Sequence, residues 1–132
     1  GFTDMPMNHK IFLAQFDAIK KLASEGPCVM VGRCADYALS EYKDCFSVFV
    51  HADTDWRINR LSQKHNKTAK EAKDMINKTD KSRSSYYNYY TNKKWGAASS
   101  YNLCVDSSKL GIDGAAKAII QAIEIFDSIK NK

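Results

Sequence analysis

Gly26-Pro27-Cys28-Val29-Met30-Val31-Gly32-Arg33-Cys34-Ala35-Asp36-Tyr37 is the stretch whose reading decides the fold. Cys28 to Gly32 is a short apolar run, punctuated by Gly26-Pro27 and closed by a glycine. Two of its residues, Val29 and Val31, are β-branched. Such a run predicts a strand buried on both faces, the signature of a parallel sheet covered by helices. Arg33 follows at the carboxyl end of that strand, and Cys34 to Leu39 can form a helix with Tyr37 and Leu39 as its buried contacts. In open α/β sheets that end of the strands is where ligands bind. A guanidinium beside helix amides suits an anion, phosphate above all. An ordinary strand–turn–helix with a surface arginine is the competing reading, because Gly-Arg alone is a weak signal.

The rest of the chain alternates around this stretch. Upstream, Asn8 to Glu25 carries Ile11, Phe12, Phe16, Ile19, Leu22 and Ala23 at helical spacing. Downstream, Cys45 to Ala52 predicts a second buried strand, and Asp53 or Thr54 can cap a helix from Asp55 to about Lys64. Arg57 and Arg60 lie one turn apart on that helix, either as a solvated face or as paired anion ligands. Trp56 and Leu61 point elsewhere and are expected to pack.

Thr68-Ala69-Lys70-Glu71 is a capping-box pattern. It opens a strongly charged helix to about Asn77, which can continue to Tyr90. Its apolar stripe is only Ala69, Ala72, Met75 and Ile76, so it is expected to project from the body. Arg83, Tyr87 and Tyr90 share one face. The tyrosines can pack helices together or stack bases. Asn92 to Gly96 breaks the helix, with Trp95 as a plug. Tyr101 to Asp106 predicts a third strand, residues 107–111 a loop, and Ile112 to Lys130 a last helix with Ile112, Ala116, Ile119, Ile120, Ile123 and Phe126 toward the core.

This order predicts one α/β domain over residues 1–132: a three-layer parallel sheet with helices on both faces, plus a helical lid at about 64–96. At 132 residues and 44% apolar composition the chain can bury a core without staples. Four cysteines, at 28, 34, 45 and 104, form no C-x-x-C pair and are expected as reduced thiols, with Cys28 and Cys104 in core strands. No apolar run is long enough to span a bilayer and no signal-peptide pattern opens the chain, so a cytoplasmic protein is expected. A net charge of +5 suits a phosphorylated partner. Residue 1 is Gly, so the sequence reads as a piece of a longer protein.

Taken together, Val29 to Tyr37, Phe49-Val50-His51-Ala52 before Arg57-Ile58-Asn59-Arg60, Asp80-Lys81-Ser82-Arg83-Ser84-Ser85-Tyr86-Tyr87, Trp95-Gly96 and Tyr101 to Ser107 resemble the cytidylate kinase-like family. The resemblance implies a partial P-loop NTPase kinase fold. It also implies transfer of the ATP γ-phosphoryl, with Mg²⁺, to a nucleoside monophosphate or similar small acceptor. By the same resemblance Gly32 and Arg33 hold the acceptor phosphate, Arg57 and Arg60 begin the lid, and Asp80 and Arg83 form its returning Asp-x-x-Arg, whose arginine reaches the transferring phosphates; Arg57, Arg60 and Arg83 are then catalytic candidates and Asp80 a substrate-binding one. Asp106 and Ser107 lie near the adenine end.

Two departures stand out. Cys34 occupies the place where cytidylate kinases carry an acid directly after Gly-Arg. Asp36 comes two residues later and is counted with the substrate-binding candidates. No G-x-x-x-x-G-K-[ST] loop occurs in these residues, so alone they are expected to bind ATP weakly and not to catalyse. A non-catalytic phosphate-binding module and, less favoured, a single-stranded nucleic-acid binder are the alternatives. An open sheet edge would also permit self-association into a homo-oligomer.

Overall fold

The computed structural model describes residues 5–131. They form two compact units, Gly1–Cys45 and Phe46–Lys132.

The first unit contains α1 (Met5–Glu25) and the single turn α2 (Ala35–Ala38). Gly26 (φ 146°) ends α1 as its sequence predicts. Ile19, Ala38 and Leu39 form the buried nucleus, with Phe16, Ala23, Met30, Ala35 and Cys45 packed around it. The strand expected over 28–32 is absent: this segment is irregular chain. Val29 and Val31 are 94% and 91% exposed. A doubly apolar run becomes a strand only when neighbours take up its hydrogen bonds and cover both faces. No strand among the described residues pairs with it.

The predicted three-layer sheet is therefore corrected to a mostly helical unit pair with one two-stranded sheet among the described residues. Arg33 does not close a strand. It sits exposed in a left-handed turn (φ 57°) beside Cys34 (φ 56°), a backbone region costly for residues with a Cβ. Cys28 is exposed rather than in a core. Cys34 is the buried thiol, and burial together with Asp36 pushes its pKa up to about 11. Leu39 is buried as expected, whereas Tyr37 keeps an exposed edge while its ring meets Phe16 at 6.0 Å.

The second unit contains β1 (Val48–His51), α3 (Thr54–His65), α4 (Ala69–Thr91), a short 3₁₀ turn (Ala98–Ser100), β2 (Leu103–Asp106) and α5 (Ser107–Lys130). β1 and β2 are parallel, with Val48 opposite Leu103 and His51 opposite Asp106. Their start is latched by side chains. Ser47 donates its N–H to Asn102 Oδ1 at 2.9 Å, and the Asn102 N–H returns to the Ser47 carbonyl at 3.0 Å.

α3 and α4 form an antiparallel hairpin across residues 66–68. Asp53 caps α3 by accepting the Trp56 N–H. Thr68 and Glu71 complete the expected capping box on α4. The thin stripe of α4 does its work at two residues: Ala72 and Ile76 are buried. One continuous helix then carries the chain to Thr91, where Asn92 (φ 57°) stops it.

The predicted loop 107–111 is instead the first turn of α5, set off from the rest by Gly111 (φ 74°, ψ 169°). Ala115 is buried and Phe126 packs on Phe46 at 5.3 Å, while Ile112, Ile120 and Ile123, expected in the core, are exposed. Two strands are too narrow to cover the apolar face that a full sheet would.

Candidate functional site

Within the second unit, the carboxyl end of β1 and the α3–α4 hairpin enclose a cleft of about 580 Å³. Period-two alternation puts Phe49 and His51 on the same face of β1, where both line the cleft. Their rings are stacked at 6.3 Å. Phe49 is the hub of this floor: Tyr101 stacks on it at 4.8 Å and Trp95 meets it edge-on at 5.2 Å. Gly96, at φ 79°, turns the chain so closely over the Phe49 ring that a Cβ there would touch it at 3.6 Å. The expected plug role of Trp95 is thus seen.

The walls are helical. α3 supplies Trp56, Arg57, Arg60, Leu61 and Lys64, and α4 supplies Met75, Ile76, Thr79, Asp80 and Arg83. Both sets repeat at three and four, the spacing of a single helix face. Arg57, Arg60, Lys64 and Arg83 bring four cations to the lining against one carboxylate, Asp80. That surplus favours a polyanionic occupant.

Arg57 and Asp80 are joined by a two-bond fork, Nη1 to Oδ2 at 2.7 Å and Nη2 to Oδ1 at 2.8 Å. Both side chains are half-buried, at 31% and 25% exposure. The Asp80 hydrogen bond holds the Arg57 proton still more firmly than usual. Arg60 lies over the Trp56 ring at 5.6 Å. Among the described residues neither Arg60 nor Arg83 takes a carboxylate partner.

Ser107 lines the cleft and donates its hydroxyl to the His51 carbonyl at 3.1 Å, tying the ends of β1 and β2. Asp106 faces the first turn of α5 and accepts from the Ser108 hydroxyl, the Ser108 N–H at 2.9 Å and the Lys109 N–H at 3.3 Å. Ser108 Oγ in turn accepts the Asp53 N–H at 2.9 Å. The Ser108 hydroxyl above all, then the backbone amides and the nearby His51, hold the Asp106 carboxyl below its ordinary value despite some desolvation. A depressed folded-state pKa adds stability above the unfolded value, and that stability is lost as pH falls through the folded value. Asp106→Asn is therefore expected to flatten the acid limb of a melting-temperature profile below about pH 4, where an unperturbed carboxylate titrates. An unchanged limb would deny Asp106 this part.

Of the residues singled out in the sequence, Arg57, Arg60, Asp80, Arg83 and Ser107 come together at this cleft. Asp106 serves as a helix cap beside it. Gly32, Arg33 and Asp36 belong to the first unit, where Asp36 accepts the N–H of Tyr37 at 2.9 Å. Sequence reasoning gave no site role to His51, Trp56, Lys64, His65 or Trp95, which also line the cleft. Carrying the Arg57–Arg60 face one further turn would have reached Lys64.

A family model described as the cytidylate kinase-like family matches residues 1–109. The chain belongs to the cytidylate kinase-like family. The crystal structure of an uncharacterized protein from Eubacterium ventriosum is similar to this member of the family, at 34% identity and a TM-score of 0.85. The match covers 89% of this chain and 74% of that one. No curated protein matches. The resemblance to this family implies Mg²⁺. Among the described residues no three His, Cys, Asp or Glu side chains gather to hold a metal ion. No described helix is long and apolar enough to cross a membrane.

Proposed function

We propose that the cleft binds the phosphates of ATP, and that the protein takes part in moving a phosphoryl group to a nucleoside monophosphate or similar small phosphorylated acceptor. The observation that carries this reading is the pair Arg60 and Arg83, committed to no carboxylate among the described residues and lining one cavity with Lys64. Phosphoryl transfer asks a protein for positioning and positive charge around a loosely bonded phosphoryl group, and for little covalent chemistry. Arginine is suited to that work through its planar, always-charged fork. The aromatic floor of Phe49 and Trp95 offers a low-dielectric backing that strengthens such contacts. By family resemblance Arg33 receives the acceptor's phosphate.

Both tryptophans of the chain, Trp56 and Trp95, line the cleft, so intrinsic fluorescence reads its occupancy directly. Titration with ATP, with and without Mg²⁺, is expected to give a saturable change that falls as salt rises. No change with any nucleoside triphosphate would overturn the reading. A phosphate-binding module without turnover is the second reading. It is favoured by the engagement of Asp80, the one carboxylate in the described lining, with Arg57. Release of ADP from ATP in the presence of monophosphates separates the two.

A further inference from the structure

We propose that Asp80 is a positioning residue: by clamping Arg57 it sets the α3–α4 spacing at which Arg60 and Arg83 address one anion, and Arg57 itself does not touch phosphate. The inference rests on the reading of the cleft as a phosphate site. It reassigns the two residues that the family resemblance alone would give to catalysis and to substrate.

Three observations carry it. First, the end-on edge of Arg57 is taken, Nη1 and Nη2 each by a different oxygen of Asp80, so only the side edge at Nε is left to meet a phosphate. Second, a phosphate taking that fork would leave Asp80, only 25% exposed, as an unpaired carboxylate facing the incoming anion. Third, the register is symmetrical. Arg60 follows Arg57 by three residues on α3, and Arg83 follows Asp80 by three on α4. Three residues rise about 4.5 Å along a helix, and in an antiparallel hairpin the two rises run in opposite directions. The neutralised clamp therefore lies between two uncompensated cations, set about 9 Å apart along the hairpin by register, and the clamp fixes the distance across it. The stack of Arg60 on Trp56 holds one of them in place as well.

The test uses a difference in sign. Asp80→Asn removes a negative charge from the cleft. If Asp80 were only a neighbouring charge, anion affinity would rise or stay level. If Asp80 is a clamp, affinity falls. Wild type, Asp80→Asn, Arg57→Lys and the swapped double variant Arg57→Asp with Asp80→Arg are titrated with ATP and with inorganic tripolyphosphate, read by tryptophan fluorescence, with melting temperatures alongside. Misplacing binding groups by about 1 Å can cost up to 10²-fold, so Asp80→Asn is expected to weaken both ligands by about tenfold or more. Arg57→Lys, which cannot make the fork, is expected to follow it. The swap restores the pair and is expected to recover affinity to within about threefold of wild type.

Equal or tighter binding by a folded Asp80→Asn overturns the clamp and leaves the phosphate site standing. Should that variant melt early, the swap decides. Recovered binding supports the clamp, and a swap that melts like wild type but binds weakly overturns it. A wild type that responds to neither ligand overturns the phosphate site and the clamp together.

Discussion

Arg83→Ala is expected to weaken ATP binding ten- to a hundredfold with little change in melting temperature. The side chain is exposed on α4, lines the cleft and has no carboxylate partner among the described residues, so the fold does not lean on it. A hydrogen bond to a charged group is worth about 1.5–3 kcal/mol, which is the stated range in affinity. Arg83→Lys should recover part of the loss, because it restores the charge without the planar fork. The double variant with Arg60→Ala should lose more and should lower the salt dependence of binding, since two cations leave the cleft. Isothermal titration calorimetry at two salt concentrations checks both statements. Undiminished binding by the double variant would place the phosphates elsewhere.

Phe49→Ala is expected to be the most destabilising single change near the cleft. The ring contacts Tyr101, Trp95 and His51, and Gly96 is folded against it. Truncating a buried phenylalanine costs 3–5 kcal/mol, and because Phe49 is only half-buried about 2–3 kcal/mol is expected. Trp95 loses its edge-on partner at the same time, so its emission should shift to the red even in the folded protein. Chemical denaturation gives the first quantity and the emission maximum the second. A stability within 0.5 kcal/mol of wild type, the range about usual for surface positions, would show that the floor is not a packing hub.

These two residues also mark what the sequence made legible. Arg83 was singled out by the family resemblance; helix period grouped it with Tyr87 and Tyr90, whereas in the structure it lines the cleft with Met75, Ile76, Thr79 and Asp80 and Tyr87 is buried. The α3 cap at Asp53 and the end of α1 at Gly26 were readable, since each depends on neighbours within one turn. The pairing of Arg57 with Asp80 was not readable, because it joins residues 23 apart through the turn of a hairpin. The largest error concerned residues 28–32. An apolar run states that a segment is able to be a central strand. Whether it becomes one depends on partners, and among the described residues Val29 and Val31 have none. The exposed isoleucines of α5 have a related cause: its apolar face was read as core for a full sheet, and the two strands present cover only part of it.

The latch between Ser47 and Asn102 has a kinetic consequence. Its partners are 55 residues apart in the chain. Loop-closure entropy grows with the logarithm of loop length, and parallel pairing gives no reward until the loop has closed. The hairpin of α3 and α4 turns across residues 66–68 and can zip locally. The guanidinium wall is thus expected to assemble early, with the aromatic floor on β1 joining it last. In pulse-labelled hydrogen exchange during refolding, α4 amides should become protected ahead of those of β2, and simultaneous protection would contradict that order.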